Sequence, residues 1–274
     1  MIRHLLQLIW NQRKQNAWLW AELLLVSVFL WFLVDYLYVM GRTYTAPLGF
    51  DIRHTYSIVI SSLSERSPDY IPKEKRERPD GVHLLTALDR IRTYPGVESA
   101  CLTDGGMPYY MGSRNLVWRI DTLQVPCRYA FVTPEFFDVF RIYDKEGETA
   151  SLKRAIEDNN SIVISADVET MNPGLSLLGQ KAYRGNVTDE IEETIRGISV
   201  PIRRHEYTKA EPNVYRALRL SRMEEGYYEG MIAAVRLCVR VRPDVDNADF
   251  PARFRKDMAE PLRLRNLYLL DVPP

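Results

Sequence analysis

Thiols, imidazoles and paired carboxylates are the groups from which a reactive site could be built. Cys101, Cys127 and Cys238 lie far apart and form no C-x-x-C pair, which argues against a structural zinc site or a thioredoxin-like motif. They read as small buried hydrophobes, and an odd count permits one disulfide at most. His4, His54, His83 and His205 show no metal-ligand spacing, and neither H-E-x-x-H nor G-x-S-x-G occurs. Glu192-Glu193 and Glu224-Glu225 are adjacent, so within regular structure their side chains diverge; they read as solvated surface and not as a glycosidase-like pair. Gly105-Gly106 before Met107-Pro108 reads as a turn. No G-x-x-x-x-G-K-[ST] loop is present to cradle nucleotide phosphates. The expectation is a chain with no catalytic residues, no cofactor and no metal.

Charge points the same way. Among 274 residues, 36 basic and 36 acidic side chains cancel, leaving no field to hold nucleic acid, so no nucleic-acid partner is expected. A hydrophobic share of 46% with 26% charged residues suits a folded core and excludes a disordered polymer.

Residues 19–39, LWAELLLVSVFLWFLVDYLYV, carry two charges and as a helix would span about 30 Å, the thickness of one hydrocarbon core. Trp18, Trp20, Tyr36 and Tyr38 mark its ends at headgroup level. Membrane lipid is therefore an expected partner. Glu22 and Asp35 sit near the two ends, where snorkelling accounts for them. Arg3, Arg13 and Lys14 precede the span and Arg42 alone follows, which places the N-terminus in the cytoplasm and the rest outside. A cleaved signal peptide would have a shorter apolar run and a small-x-small site, which Gly41-Arg42-Thr43 does not supply. Residues 1–18 mix Leu5, Leu6, Leu8, Ile9 and Trp10 with polar neighbours, as a cytoplasmic amphipathic segment would.

Beyond the span, the pattern predicts a strand over 55–63, a helix over 80–94 ended by Pro95-Gly96, and a strand over 97–103. Residues 64–79 read as a solvated loop of mixed charge. A second such unit lies at the far end. Val235, Leu237, Val239 and Val241 alternate with Arg236, Cys238, Arg240 and Arg242, as in a half-buried strand. Asp246 or Asn247 could cap a helix carrying Phe250, Phe254, Met258 and Leu262 on one face, and a strand over 267–272 follows. Between the units, 115–120 and 125–132 read as a hairpin around Asp121-Thr122, and Thr133 with Pro134 could start a short aromatic helix. Further strands are expected over 161–165, 194–202 and 213–220, with a turn over 174–179. The fold class is α+β: two strand-helix-strand units interrupted by an insertion.

Several stretches in this order resemble the ABC transporter permeases of the MacB/FtsX-like kind, with their MacB-like periplasmic core domain. They are GFDIRHTYSIVI at 49–60, YPGVESACLT at 94–103, VTPEFFDVFRIYDKEGE at 132–148, NNSIVISADV at 159–168, LLGQKA at 177–182, RVRPDVDNADFPARFRKDM at 240–258 and RNLYLLDV at 265–272. The resemblance implies a core domain over 41–274, with a porter-like part at 50–104 and 205–272 and an inserted smaller α+β lobe at 105–204. It implies a bacterial inner membrane location with the main domain periplasmic. The implied partners are a separate cytoplasmic ABC ATPase, a related permease in a homo- or heterodimer, and a periplasmic adaptor. ATP hydrolysis by that ATPase would drive export or extraction through a change of shape outside the membrane, so the residues of interest are packing residues. These are Phe136, Phe137 and Phe140 in the lobe, and Phe250 and Phe254 beneath the porter-like strand. A complete permease of this kind has three further membrane helices after the core domain, and no second apolar span follows here, so the chain reads as the front portion of a subunit. The same topology would also serve a sensory or binding ectodomain on one anchor. A membrane-anchored hydrolase would require a histidine beside a carboxylate and a nucleophile in a cleft.

Overall fold

The computed structural model describes Trp10 and residues 17–110, 114–185, 190–226 and 234–272. Most of the expected amphipathic segment, including Arg3, Arg13 and Lys14, lies outside the described residues, as does the C-terminal Pro273-Pro274. The chain divides into two units, residues 1–47 with 206–208, and residues 48–205 with 209–274.

The first unit holds helix α1, Ala17–Thr45, which runs past the expected end at Val39. Thr45 bonds back through its hydroxyl to the Gly41 carbonyl, and Pro47 has no N–H to continue the ladder. No residue of this helix is buried, although it is apolar on all sides. It is the one helix among the described residues long and apolar enough to cross a membrane.

In the second unit, strand β1 (Thr55–Ser62) leads to helix α2 (Asp80–Arg92) and strand β2 (Val97–Asp104). The charged connection between β1 and α2 contains a single 3-10 turn at Lys73–Lys75. The hairpin follows as β3 (Asn115–Ile120) and β4 (Leu123–Val132), then the short helices α3 (Phe136–Val139) and α4 (Ala150–Ala155). Next come β5 (Ser161–Ser165), α5 (Asp167–Met171), β6 (Lys181–Arg184), β7 (Ile191–Ser199), β8 (Asn213–Ala217) and α6 (Leu220–Glu224). The chain closes with β9 (Arg236–Val241), α7 (Phe250–Met258) and β10 (Leu267–Asp271).

Strands β10, β1, β9 and β2 lie side by side in that order, every neighbour antiparallel. This is the order two interleaved strand-helix-strand units produce. Helices α2 and α7 cover one face. Ile58 and Ile60, two apart on β1, meet Leu84, Leu88 and Ile91 from α2 and Phe250, Phe254 and Met258 from α7 in one cluster. Period two on the strands and period near four on the helices make that core.

The remaining strands do something the linear pattern did not announce. Starting from β4, pairings run to β3, β6, β7, β5 and β8, and β8 pairs back with β4, so six strands close into a barrel. Trp118, Ile120, Val125, Cys127, Ile162, Ile164, Ala182, Ile195 and Val214 form the cluster inside. Closure removes the exposed edges that an open insertion would present. The barrel joins the four-stranded sheet through β2 and β4, whose ladder is only Thr103 with Val132 and Asp104 with Phe131.

Four local expectations are corrected by this packing. Arg240, expected on a solvated face of β9, is buried because α3 covers that face too, beside Cys238, which is buried as its reading as a small hydrophobe requires. Thr133 does not cap α3; its hydroxyl accepts the Leu102 N–H at 3.1 Å, tying β2 to the end of β4. Asp246 is taken by Tyr56 and His54, and Asn247 accepts the Asp249 N–H at 3.1 Å, so neither caps α7 from the N-cap position, which Asp249 holds. Leu262 is buried in the same cluster but lies beyond the end of α7.

Candidate functional site

The junction between the four-stranded sheet and the barrel gathers one of the two aromatic groups singled out above. Phe136, Phe137 and Phe140 are buried on α3 and in its C-cap, in a cluster with Cys101 and Cys238 from the sheet, and Ala130 and Tyr215 from the barrel strands. Phe136 and Phe140 rings lie 4.9 Å apart at 60°. Phe136 and Phe137 approach the Tyr215 ring at 5.5 and 5.6 Å. Edge-on and tilted aromatic contacts of this kind add to the area they bury. The three rings thus lie outside the barrel interior, against the second face of the sheet. Tyr215 is completely buried, and burial pushes its hydroxyl pKa far above the ordinary value.

Gly106 allows the close approach. Its φ is +73°, and a Cβ there would stand 2.5 Å from the Ala130 Cβ and 3.7 Å from the Phe136 ring. The Gly105-Gly106 turn is therefore also a packing device at this junction.

Arg240 crosses the same face from β9. Buried at 3% exposure, its guanidinium donates to the carbonyls of Val139 at 2.7 Å, Arg53 at 2.8 Å and Asp51. The Asp51 N–H in turn donates to the Phe140 carbonyl at 2.8 Å. Burial lowers the Arg240 pKa, with the Asp51 charge opposing. One side chain thereby ties the segment at 51–53, the end of α3 and β9 together, as the fixed fork of arginine permits.

Phe250 and Phe254 are elsewhere, on α7 under the first face of the sheet. Their rings pack against Tyr56 at 5.1 Å and Tyr94 at 4.8 Å respectively. The two aromatic groups therefore occupy opposite faces of one sheet and do not converge.

The barrel holds a buried charge cluster that sequence reasoning placed on the surface. Glu193, 1% exposed at its side chain, accepts Arg216 Nε at 2.6 Å and Trp118 Nε1 at 3.3 Å, with Arg184 Nε 3.3 Å away. The Arg216 guanidinium lies 4.9 Å over the Phe131 ring. Burial lowers the Arg216 pKa, with the Glu193 charge opposing. Its neighbour Glu192 is exposed and pairs with Lys181 at 2.7 Å. The period of two across a strand explains the split; the clue was available in the alternation of Glu193 with Ile195, which face inward together ahead of a bulge that turns Gly197 outward against Val163, Ala155 and Leu152.

His54 stands beside a carboxylate, with Nδ1 2.5 Å from Asp246, and Tyr56 donates its hydroxyl to the same group. This cluster fastens the β9–α7 connection to β1. His54 and Asp246 remain partly exposed, and among the described residues no hydroxyl or thiol is bonded to the imidazole there. Among the described residues no group of three or more His, Cys, Asp or Glu converges as metal ligands. A cavity of about 240 Å³ lies between the 71–83 segment and Arg265, lined by Lys75, Arg76, Arg78 and His83 with Glu77 and Asp80. Its charges are mixed and largely paired: Arg76 with Asp80 at 2.9 Å, and Arg265 with Glu77 at 3.4 Å.

No family model matches the sequence, and no curated protein matches it. Solved structures do. The chain is similar to a domain of a protein assigned as a permease from Porphyromonas gingivalis, with 17% identity and a TM-score of 0.52, covering 83% of this chain and 92% of that one. It is similar to the periplasmic region of MacB from Actinobacillus actinomycetemcomitans, with 9% identity and a TM-score of 0.46, covering 84% and 94%. The extracellular domain of the noncanonic ABC-type transporter YknZ from Gram-positive bacteria aligns at 11% identity and a TM-score of 0.44, covering 78% and 100%. The first likeness shows the fold: a mixed α+β domain of the kind solved in that Porphyromonas gingivalis protein.

Proposed function

We propose that the chain is the permease subunit, or its N-terminal portion, of an ABC-type export or mechanotransmission system. One observation carries the reading: a domain with the fold of a permease domain follows a helix long and apolar enough to span a bilayer. In this reading α1 lies in the bacterial inner membrane with the N-terminus cytoplasmic, and the domain is periplasmic. A separate cytoplasmic ATPase hydrolyses ATP, and the permease, paired with itself or a relative, passes the movement outward to a periplasmic adaptor or cargo. The porter-like part, expected at 50–104 and 205–272, and the inserted lobe, expected at 105–204, would be the moving parts: the four-stranded sheet with its helices, and the barrel, which takes its strand β8 at 213–217 from the second porter-like range. The packing residues Phe136, Phe137, Phe140, Phe250 and Phe254 would hold their shape. The polypeptide itself would carry no catalytic step. Binding free energy moves such a two-state element only through unequal affinity for its two states.

The test is affinity purification of the full chain from its native membrane after mild cross-linking. Recovery of an ABC ATPase, whose activity changes when the chain is present, supports the reading. Recovery of a kinase or other signalling protein with no ATPase would replace it with the sensory ectodomain. Protease added outside intact spheroplasts should digest the domain, and protection there would overturn the orientation.

A further inference from the structure

Cys101 on β2 and Cys238 on β9 face each other in the antiparallel ladder, with Ala100 opposite Val239 and Leu102 opposite Leu237 on either side. Opposed residues in such a pair have Cα atoms about 4.5 to 5.5 Å apart, within the span of a disulfide. Both side chains are buried on the same face of the sheet, in the cluster that contains Phe136. The Met107 sulfur lies 3.6 Å from Cys238 Sγ. Cys127 is separated from both, inside the barrel. All three thiols are free in this structure.

We propose that Cys101 and Cys238 form a cross-strand disulfide, a modification that ties the second strand of the first strand-helix-strand unit to the first strand of the other. The sulfur–sulfur bond forms as the two thiols give up two protons and two electrons. The oxidant is an exogenous disulfide, protein or small molecule, which is reduced to two thiols as its own bond breaks. Exchange starts from a thiolate, and burial, reinforced by the neighbouring thiol, raises the Cys101 pKa. The bond is therefore made while β2 and β9 are uncovered, during folding or local opening, and is afterwards shielded from reductants. It closes a loop of chain containing the whole barrel, so it pins the insertion at its root. In the cell the site depends on the proposed periplasmic placement, which supplies an oxidising compartment.

The experiment has two arms. In the first, the full chain in detergent is purified reduced, equilibrated with oxidised and reduced glutathione in mild urea, quenched with N-ethylmaleimide and digested without reductant. A linked Cys101–Cys238 peptide with alkylated Cys127 is expected. It should be lost in C101A and C238A and unchanged in C127A. Absence of that peptide, or links to Cys127 in equal amount, overturns the proposal. In the second arm, cells are quenched directly with N-ethylmaleimide. The linked peptide supports the bond in the cell, whereas full alkylation in chains whose domain is cut by external protease overturns it. Full alkylation together with protection from the protease counts against the periplasmic placement, and the glutathione arm then decides the pair.

Discussion

Glu193 is the residue whose environment departs furthest from its local sequence. Next to a solvated glutamate, it sits in the barrel with Arg216, Arg184 and Trp118 around it. Removing one charge of a buried set leaves the others uncompensated, which costs about 3 to 5 kcal/mol. Glu193→Gln should therefore lower the denaturation midpoint of the full chain markedly, whereas Glu192→Gln, at the surface, should leave it nearly unchanged. Equal effects in chemical denaturation would contradict the burial. The aromatic residues give a second prediction at this scale. Phe136→Ala and Phe254→Ala each empty a fully buried site and should cost about 3 to 5 kcal/mol. Unchanged unfolding curves would refute those placements.

At the level of elements, the connections are held by polar clamps. Asp246 links the β9–α7 connection to β1 through Tyr56 and His54. Burial pushes the Asp246 pKa up, but the hydrogen bonds from Tyr56 and His54 and the His54 charge outweigh it, so the net shift is downward from 3.8. A carboxyl with a depressed folded pKa contributes stability that is complete above the unfolded value and is lost as pH falls through the folded one. Tyr56 has the opposite sign: burial and the Asp246 carboxylate raise it from 10.0 to about 12, so its contribution is complete below 10 and lost as pH rises through about 12. Asp246→Asn should flatten both limbs of a plot of stability against pH, and unchanged limbs would show that the clamp does not act on folding. Arg240 is the other clamp. Arg240→Met would leave the carbonyls of Val139, Arg53 and Asp51 without this donor, at about 1 to 3 kcal/mol for each buried acceptor left unmatched. Amide hydrogen exchange should then quicken at Asp51, whose N–H bonds the Phe140 carbonyl; unchanged protection there would count against the clamp.

For the whole molecule, the helix from Ala17 to Thr45 presents apolar side chains on every side, and in water that surface has no cover. If it resides in lipid as proposed, Phe29→Arg, near the middle of the expected span, should cost about 2.5 to 3.5 kcal/mol of insertion. The fraction of chain that resists alkaline extraction from membranes would then fall, and an unchanged fraction would argue against a spanning helix. The sheet and the barrel share a short ladder but a broad apolar cluster, in which Phe136, Phe137 and Tyr215 pack.

Much of this was legible in the residues because it depends on local period. The long apolar run, the alternation of Ile58 with Ile60, and the near-fourfold recurrence of Phe250, Phe254 and Met258 each follow from the geometry of one helix or strand. The hairpin between Ile120 and Leu123 follows from a turn residue, Asp121, able to take a positive φ of 53°. Other features had no local signature. Closure of the barrel requires β8 to reach β4, far away in sequence, and short elements such as β6, paired with β3 and β7, and α4, packed on β5 and β7, gain their stability from partners outside their own segment. The second covered face of β9, which buries Cys238 and Arg240, exists only because α3 packs there. Local period says which side of an element is apolar; whether its polar side also loses water, and which distant groups it then meets, is decided by the packing of the other elements around it.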